Sequence, residues 1–576
     1  MSSKNTSSEL PHHRLPTDQF HTLTTGRGSA DITDTFWASE WSRRTLQLHA
    51  VRLEADGSPD RLGPLPPAGV AWEALAEAQR KAPDAVRAVL LHPQVGSWAA
   101  YTLRRQLGGA ASDSPWWVDF GGLHTLALAA AAAAGLSWRT RVPARAGRVM
   151  IPALGMARFT DASGDTAVEA ETDGGRIRLR LGGDTVTVPA VPAQDGPGWW
   201  GLRRVRVDGD PGLTVWLDDL DPFRDLADPV PPARLDDGAF ARWTELLTGA
   251  WGLLLRDHHA EAAAMANGFV SLVPLSHEEG WGTRSASTGE AFGSIMVSPP
   301  SDPVTLAVAL VHEYQHILLG GLIHQLSLST DDGQLYYAPW RHDPRPLGGF
   351  LQGVFAFLGI ANFWRQHLVT APEADRELVS FEFAHALAQT HTALLVLRDA
   401  AGLTADGRAL VAGITERCAP WLDEEVPAEA ARLCRLTIDC HRIGWRLRHR
   451  GPSDDGQVSR LADAWLSGGT PGGSPAPPEL RPDPQFLWYD LIPTLVRRRL
   501  AGRDLGTPDA AGAAPDVARA DAELVRGDAK TARDSYLAAI TAGFEPGGPT
   551  EIHAWTGLAI AVEATEQTPA AHALYN

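Results

Sequence analysis

Apolar positions recur with a helical period over most of this chain, and the exceptions fall in one contiguous region. Residues 20–138 read as mainly helical. Leu90-Leu91-His92-Pro93 interrupts them, with one helix ending and another restarting at the proline, and 98–105 continues the pattern. From Arg139 to about Asp219 the texture changes. Val142-Pro143, Arg148-Val149-Met150-Ile151 and Arg176-Ile177-Arg178-Leu179-Arg180-Leu181 read as strands, the last alternating polar and apolar residues. Gly174-Gly175 and Gly182-Gly183 punctuate it as turns. A small antiparallel β unit is expected there.

Helical texture returns near Ala239. A loop is expected over 329–346, a second apolar helix over 346–366, a third after Pro372, and a helical stretch, basic at its end, over 403–450. The Gly- and Pro-rich stretch 468–484 reads as a linker or exposed loop. Beyond it, 516–543 and 550–571 resemble helical-hairpin repeats, with Ala532, Tyr536, Ala539, Trp555, Gly557 and Leu558 suited to tetratricopeptide-like packing. The expected organisation is a flexible N-terminus (1–19), a helical region (20–138), the β unit (139–225), a helical catalytic region (239–450), a linker and helix (451–510) and a tetratricopeptide-like tail (511–576).

Length and charge narrow the function. With 576 residues the chain can bury a large core in two to four domains, and 44% apolar with 21% charged residues is ordinary for a globular protein. The formal net charge of −18 argues against nucleic acid or an anionic membrane as main partner and leaves room for a cationic peptide. Cys418, Cys434 and Cys440 form no CxxC pair and are odd in number, so they read as reduced thiols of a cytoplasmic protein. The start, Met1-Ser2-Ser3-Lys4-Asn5, lacks an apolar signal core. The Ala-rich run 123–135 is too short for a membrane span and reads as a tightly packed helix.

The sharpest chemical proposal is His312-Glu313-Tyr314-Gln315-His316. Four residues are about 400° of helix rotation, so the two imidazoles project from nearly one face and can chelate one divalent ion. Glu313 then lies beside the metal, able to handle a proton on a bound water. Asp302-Pro303 supplies an N-cap and a first-turn proline. Val304, Leu306, Ala307, Leu310, Val311, Tyr314, Ile317 and Leu318 give a broad apolar surface, so the helix is expected to be buried. The alternative is a hydrogen-bonded core cluster.

Several further stretches carry a family resemblance. They are Leu217-Asp218-Asp219-Leu220-Asp221-Pro222, Gly289-Glu290-Ala291-Phe292-Gly293, Tyr336-Tyr337-Ala338-Pro339-Trp340-Arg341, Asp343-Pro344-Arg345-Pro346-Leu347 and Leu351-Gln352-Gly353. Upstream His92-Pro93-Gln94-Val95-Gly96 and Thr102-Leu103-Arg104-Arg105 fit, as do His441-Arg442 and Trp445-Arg446-Leu447-Arg448 downstream. Together with HExxH, over roughly 40–450, they resemble the HExxH-containing peptide-modification proteins encoded beside ribosomal peptide natural products. That family is regarded as iron- and 2-oxoglutarate-dependent peptide β-hydroxylases. The resemblance implies that His312 and His316 hold Fe(II), that a ribosomal precursor peptide is the substrate, and that an arginine holds the distal carboxylate of 2-oxoglutarate. A guanidinium does this bidentately. Arg345, framed by Pro344 and Pro346, is the first choice and Arg341 the second; the alternative is a loop arginine paired with Asp343. Without the resemblance, HExxH suggests a zinc peptidase, and a metal-free peptide-binding relative is a third reading.

A third metal ligand is not evident. The adamalysin-like zinc motif wants glycine and histidine where Leu319 and Leu322 stand, and His324 is too far along the helix to share the ion. If the helix runs about ten residues past His316 and the next packs antiparallel, residues 350–357 come level with the metal, and Gln352 is their only polar side chain. The resemblance implies a histidine at or near this position; there is none. Gln352 is the third-ligand choice, with Asp343 as the carboxylate alternative, Glu382 for a thermolysin-like zinc site, and Glu313 itself disfavoured by helix geometry. Ser285, Ser287 and Thr288 are expected in an active-site loop facing the metal helix. His258, His259, His385 and His391 read as surface or capping residues, and Asp218, Asp219 and Asp221 as a cap or turn with the option of binding a cation or a basic peptide. The fold class expected is α+β, predominantly α-helical, with a zincin-like helical metal core, a small antiparallel β unit and a repeat-like C-terminal tail. A protein partner on that tail completes the expectation.

Overall fold

Local caps and prolines set the helix boundaries. Ser29 accepts from the Ile32 amide at the start of the helix Ala30–Gly57, and prolines open Pro83–Leu90 and Pro93–Gln106 on either side of the break at Leu91-His92. Asp236 caps Asp237–Asp257 through the Ala239 amide. The computed structural model describes residues 12–160, 162, 164–226, 228–276 and 283–450, scattered positions between 459 and 482, and residues 491–506, 514–545 and 548–566. Most of the linker expected at 468–484, and the first eleven residues, lie outside the described residues. The protein is mixed α+β and 58% helical. It divides into two compact units, one of residues 1–23 and 27–326, the other of 24–26 and 327–576. The boundary falls inside the region 239–450.

The first unit contains the β structure. Four antiparallel strands run in the order Trp138–Ala144, Thr166–Asp173, Arg176–Leu181, Asp184–Thr187. Asp173 pairs with Arg176 across Gly174-Gly175, both at positive φ, a two-residue hairpin that only glycine enters without strain. A second antiparallel sheet joins Arg148–Ile151, Gly155–Arg158 and Trp199–Gly201. The helices Ala68–Lys81, Pro83–Leu90 and Gly122–Ala133 share one apolar core with these strands, including Leu75, Val89, Leu126, Val142, Val168, Leu179 and Trp199. The Ala-rich run is a buried helix there.

A third sheet departs from expectation. Its five strands are ordered Ser285–Ala286, Ser294–Val297, Ser271–Pro274, Leu213–Leu217, Arg203–Val207, and the middle pairings are parallel. The expectation from about Ala239 to the HExxH segment is helical texture with one serine-bearing loop, and no strands. Ser271–Pro274 and Ser294–Val297 are short and buried on both faces, so they show no alternation to read. This sheet ends where the helix Pro303–Ile323 begins.

Among the described residues, the second unit is helical apart from the strand pair Leu335–Tyr336 with Arg345–Pro346 inside the loop 329–346 and two isolated bridges. Leu347–Thr370 follows, capped by Pro346, then Arg376–Leu397, Ala405–Cys418 and Ala428–His449. The helices Pro515–Arg526, Ala529–Ala542 and Pro549–Glu566 pack with Ala428–His449 around Leu433, Leu495, Val525, Tyr536 and Leu558. A Cβ on Gly557 would lie 2.1 Å from Tyr536 Cζ, so glycine lets the ring seat against the last helix. Ala532, Tyr536, Ala539 and Leu558 are buried, but Trp555 is 44% exposed and is no part of this packing. Pro303–Ile323 and Leu347–Thr370 are long and apolar enough to cross a membrane, yet 72% and 67% of their apolar windows are buried inside the protein. Their hydropathy serves packing.

Candidate metal centre

The helix Pro303–Ile323 is fixed at both ends of its history. Asp302 Oδ1 accepts from the Thr305 amide at 2.8 Å, with Pro303 in the first turn. It ends seven residues beyond His316, with His324 as C-cap, rather than ten. Tyr314 donates from its hydroxyl to the Ala264 carbonyl at 2.7 Å, and a Cβ on Gly321 would meet Phe36 at 2.5 Å. Most of the helix is buried, but Val308, His312, His316 and Gly320 recur every fourth residue as a partly exposed stripe. Between Leu306 and Leu322 the two histidines therefore lie on the partly exposed strip of a helix that is buried on its other faces.

Their geometry suits a shared ion. His312 Nε2 lies 3.2 Å from His316 Nε2, with the rings nearly perpendicular at 81°. With metal–nitrogen bonds of about 2.0–2.1 Å, neighbouring ligand atoms stand about 2.9–3.4 Å apart. Burial, reinforced by His316, pushes the His312 imidazole down to about 3. It is thus neutral near pH 7, the form that ligates metal.

Glu313 is held in place. Its Oε1 accepts from Ser285 Oγ at 2.6 Å and its Oε2 from Ser287 Oγ at 2.7 Å, and only 1% of the residue is exposed. The strand Ser285–Ala286 brings these hydroxyls in by pairing with Ser294–Val297, which leads into the helix. His312 Nε2 stands 3.8 Å from Glu313 Oε1. The serine loop proposed from sequence therefore contacts the HExxH glutamate. Thr288 Oγ1 instead accepts from the Glu290 amide within that loop.

The cosubstrate and third-ligand candidates Arg341, Arg345, Asp343, Gln352 and Glu382 lie in the second unit. Asp343 accepts from Arg341 Nε at 2.7 Å and from Arg345 Nη1 at 3.1 Å. Against the effect of burial, those two guanidinium groups hold Asp343 below the usual carboxylate range. Both arginines are thus paired with Asp343, the arrangement anticipated as the alternative to cosubstrate binding, and the Asp343 carboxylate is already occupied by cations. Gln352 is half-buried in the first turns of Leu347–Thr370, one residue before Gly353, whose Cβ position is filled by Trp340. Glu382 is gripped by Arg497 Nε and Nη2 at 2.5 and 3.0 Å, which leaves it ill-suited to zinc.

Among the quieter histidines, His258 is buried and sits at the junction of Asp237–Asp257 with His259–Gly268, while exposed His259 reaches the Asp210 carbonyl at 2.9 Å. Burial pushes His385 down to about 4. Asp219 pairs with Arg203 at 2.9 Å and Arg234 at 3.2 Å. Asp218 and Asp221 do form a turn, but they also meet His92, a residue to which sequence reasoning gave no chemistry. The three offer ligand atoms all within 4.8 Å of one another. Burial and the neighbouring Asp218 push Asp221 up to about 8.

No family model matches this chain, and no curated protein matches its sequence.

Proposed function

We propose that this protein is an Fe(II)- and 2-oxoglutarate-dependent peptide β-hydroxylase that modifies a ribosomally made precursor peptide, of the HExxH peptide-modification kind that its motifs resemble. The observation that carries the reading is the His312–His316 pair, two imidazole nitrogens 3.2 Å apart on the open stripe of a buried helix. These histidines hold the metal. Bound Fe(II) supplies oxidation of a peptide C–H bond by O₂ with 2-oxoglutarate as reductant, one oxygen atom going to the peptide and the other to succinate as CO₂ is lost. Glu313, with each oxygen already accepting a serine hydroxyl, acts as a fixed orienting charge beside His312. Arg345, and after it Arg341, is the proposed holder of the distal carboxylate, exchanging Asp343 for the cosubstrate. A zincin-like arrangement of the HExxH core, a tetratricopeptide-like tail available to a protein partner, and a cytoplasmic setting complete the proposal.

Incubation with the neighbouring precursor peptide, Fe(II) and 2-oxoglutarate in air is expected to add 16 mass units and release succinate. Cleaved fragments under nitrogen, with no mass gain in air, identify a zinc peptidase. Peptide binding with neither product identifies a metal-free binding protein.

A further inference from the structure

We propose that His92, Asp218 and Asp221 form a second site, for a divalent transition-metal ion, separate from the HExxH pair. Two segments converge there. His92 is the residue before the helix Pro93–Gln106, and its ring packs edge-on against Trp216 at 4.9 Å. Asp218 directly follows the strand Leu213–Leu217 and is tied by its amide to the Leu272 carbonyl at 2.8 Å. Asp221 sits three residues later in the turn.

The hydrogen bonds of the turn leave one set of atoms over. Asp218 Oδ1 accepts from the Leu220 and Asp221 amides at 3.2 and 2.9 Å, and Asp221 Oδ1 accepts from the Phe223 amide at 2.8 Å. Those bonds account for the turn. They do not account for Asp218 Oδ2 or for either ring nitrogen of His92, all of which are buried with no hydrogen-bond partner. His92 and Asp218 are 0% exposed, and His92 Nε2 faces Asp218 Oδ2 at 3.7 Å, beyond hydrogen-bond length. The neighbouring Arg224 spends its donors on the carbonyls of Asp221 and Pro231. Asp219 alone of the three aspartates is matched by guanidinium groups.

Two buried carboxyl groups facing an imidazole need neutralising, by protons as the raised Asp221 shows or by a cation that takes the place of those protons. One nitrogen and two carboxylate oxygens suit a first-row divalent ion such as Mn(II) or Zn(II). The ligand atoms, all within 4.8 Å of one another, would close by about an ångström or two to reach ligand spacing. Asp221, 5% exposed, gives the ion its way in. Such an ion would staple the turn after the strand to the start of the helix Pro93–Gln106, so its binding energy adds to folding energy.

The test uses full-length protein, stripped with chelator and titrated with Mn(II). The His312→Ala/His316→Ala variant should still bind one equivalent, with its melting temperature raised by at least about 3 °C at saturation. Adding Asp221→Asn to that variant should abolish both effects. In the otherwise native chain, Asp221→Asn and His92→Asn should each lower uptake from two equivalents to one. No Mn(II) uptake by the folded double-alanine variant overturns the proposal. So does one equivalent of uptake by the double-alanine variant that survives the further addition of both Asp221→Asn and His92→Asn.

Discussion

The first unit holds two histidine clusters built in opposite ways. His312 and His316 come from one helix, four residues apart, and lie along a stripe that the fold leaves partly open. His92 and the pair Asp218 and Asp221 come from distant segments and are buried, with Asp221 alone keeping slight exposure. The first arrangement places donors where a substrate can reach. The second can only brace. Accessibility, rather than ligand chemistry, is what separates the proposed working centre from the proposed structural one.

The largest expected effect falls on the open pair. His312→Ala or His316→Ala should abolish turnover, well beyond the about 10–100-fold typical of changes outside the ligand set, while cooperative unfolding persists. Product formation alongside a denaturant melt checks this. Retained turnover in either variant breaks the comparison. Glu313→Gln comes next. A zinc peptidase would lose about 10²–10⁴-fold with its general base gone, whereas an orienting charge held by Ser285 and Ser287 predicts about a tenfold loss. Ser285→Ala/Ser287→Ala should then cost a similar factor through kcat.

Arg345→Ala should weaken apparent 2-oxoglutarate affinity about ten- to a hundredfold, the worth of a charge-assisted bidentate pair of about 1.5–3 kcal/mol. Arg345→Lys should rescue only part, because an ammonium lacks the planar fork. If Arg345 merely braces its loop through Asp343, stability falls and the 2-oxoglutarate constant stays put. Cosubstrate titration at fixed iron, with thermal melts, separates the two.

A pH test addresses the metal-free pair. The folded His312 titrates at about 3, below the ordinary 6.5 of an unfolded chain. Unfolding therefore takes up a proton below pH 6.5, and stability is lost as pH falls from there toward 3. Between pH 7 and pH 5 the chelator-treated protein should lose ~2 kcal/mol more than His312→Gln, since each pKa unit is about 1.36 kcal/mol. Equal losses in urea melts would show that His312 is not desolvated. Smallest of all, Asp302→Ala removes the helix cap and should cost about 1 kcal/mol in the same melts.

Legibility followed locality. The break at His92-Pro93, the hairpin glycines and the Asp302 cap are decided within a few residues, and each was readable. The parallel strands Ser271–Pro274 and Ser294–Val297 were not, because strands buried on both faces carry no alternation. Trp555 was misassigned for a related reason: a helical period tells which residues share a face, not which face a neighbour covers. The same rule governs the sites. HExxH declares itself through i,i+4 spacing, and the proline-framed loop left only Asp343 as a nearby partner for Arg341 and Arg345. The acidic run Leu217-Asp218-Asp219-Leu220-Asp221 hinted at a cation, but nothing in it pointed to His92.

The most direct test of the central claim is anaerobic Fe(II) uptake by the native chain and by His312→Ala/His316→Ala, measured side by side with unfolding. The account predicts a difference of one iron per chain between two proteins that both remain folded. Equal iron in both would contradict it, and would return the HExxH segment to an ordinary hydrogen-bonded pair in a helix.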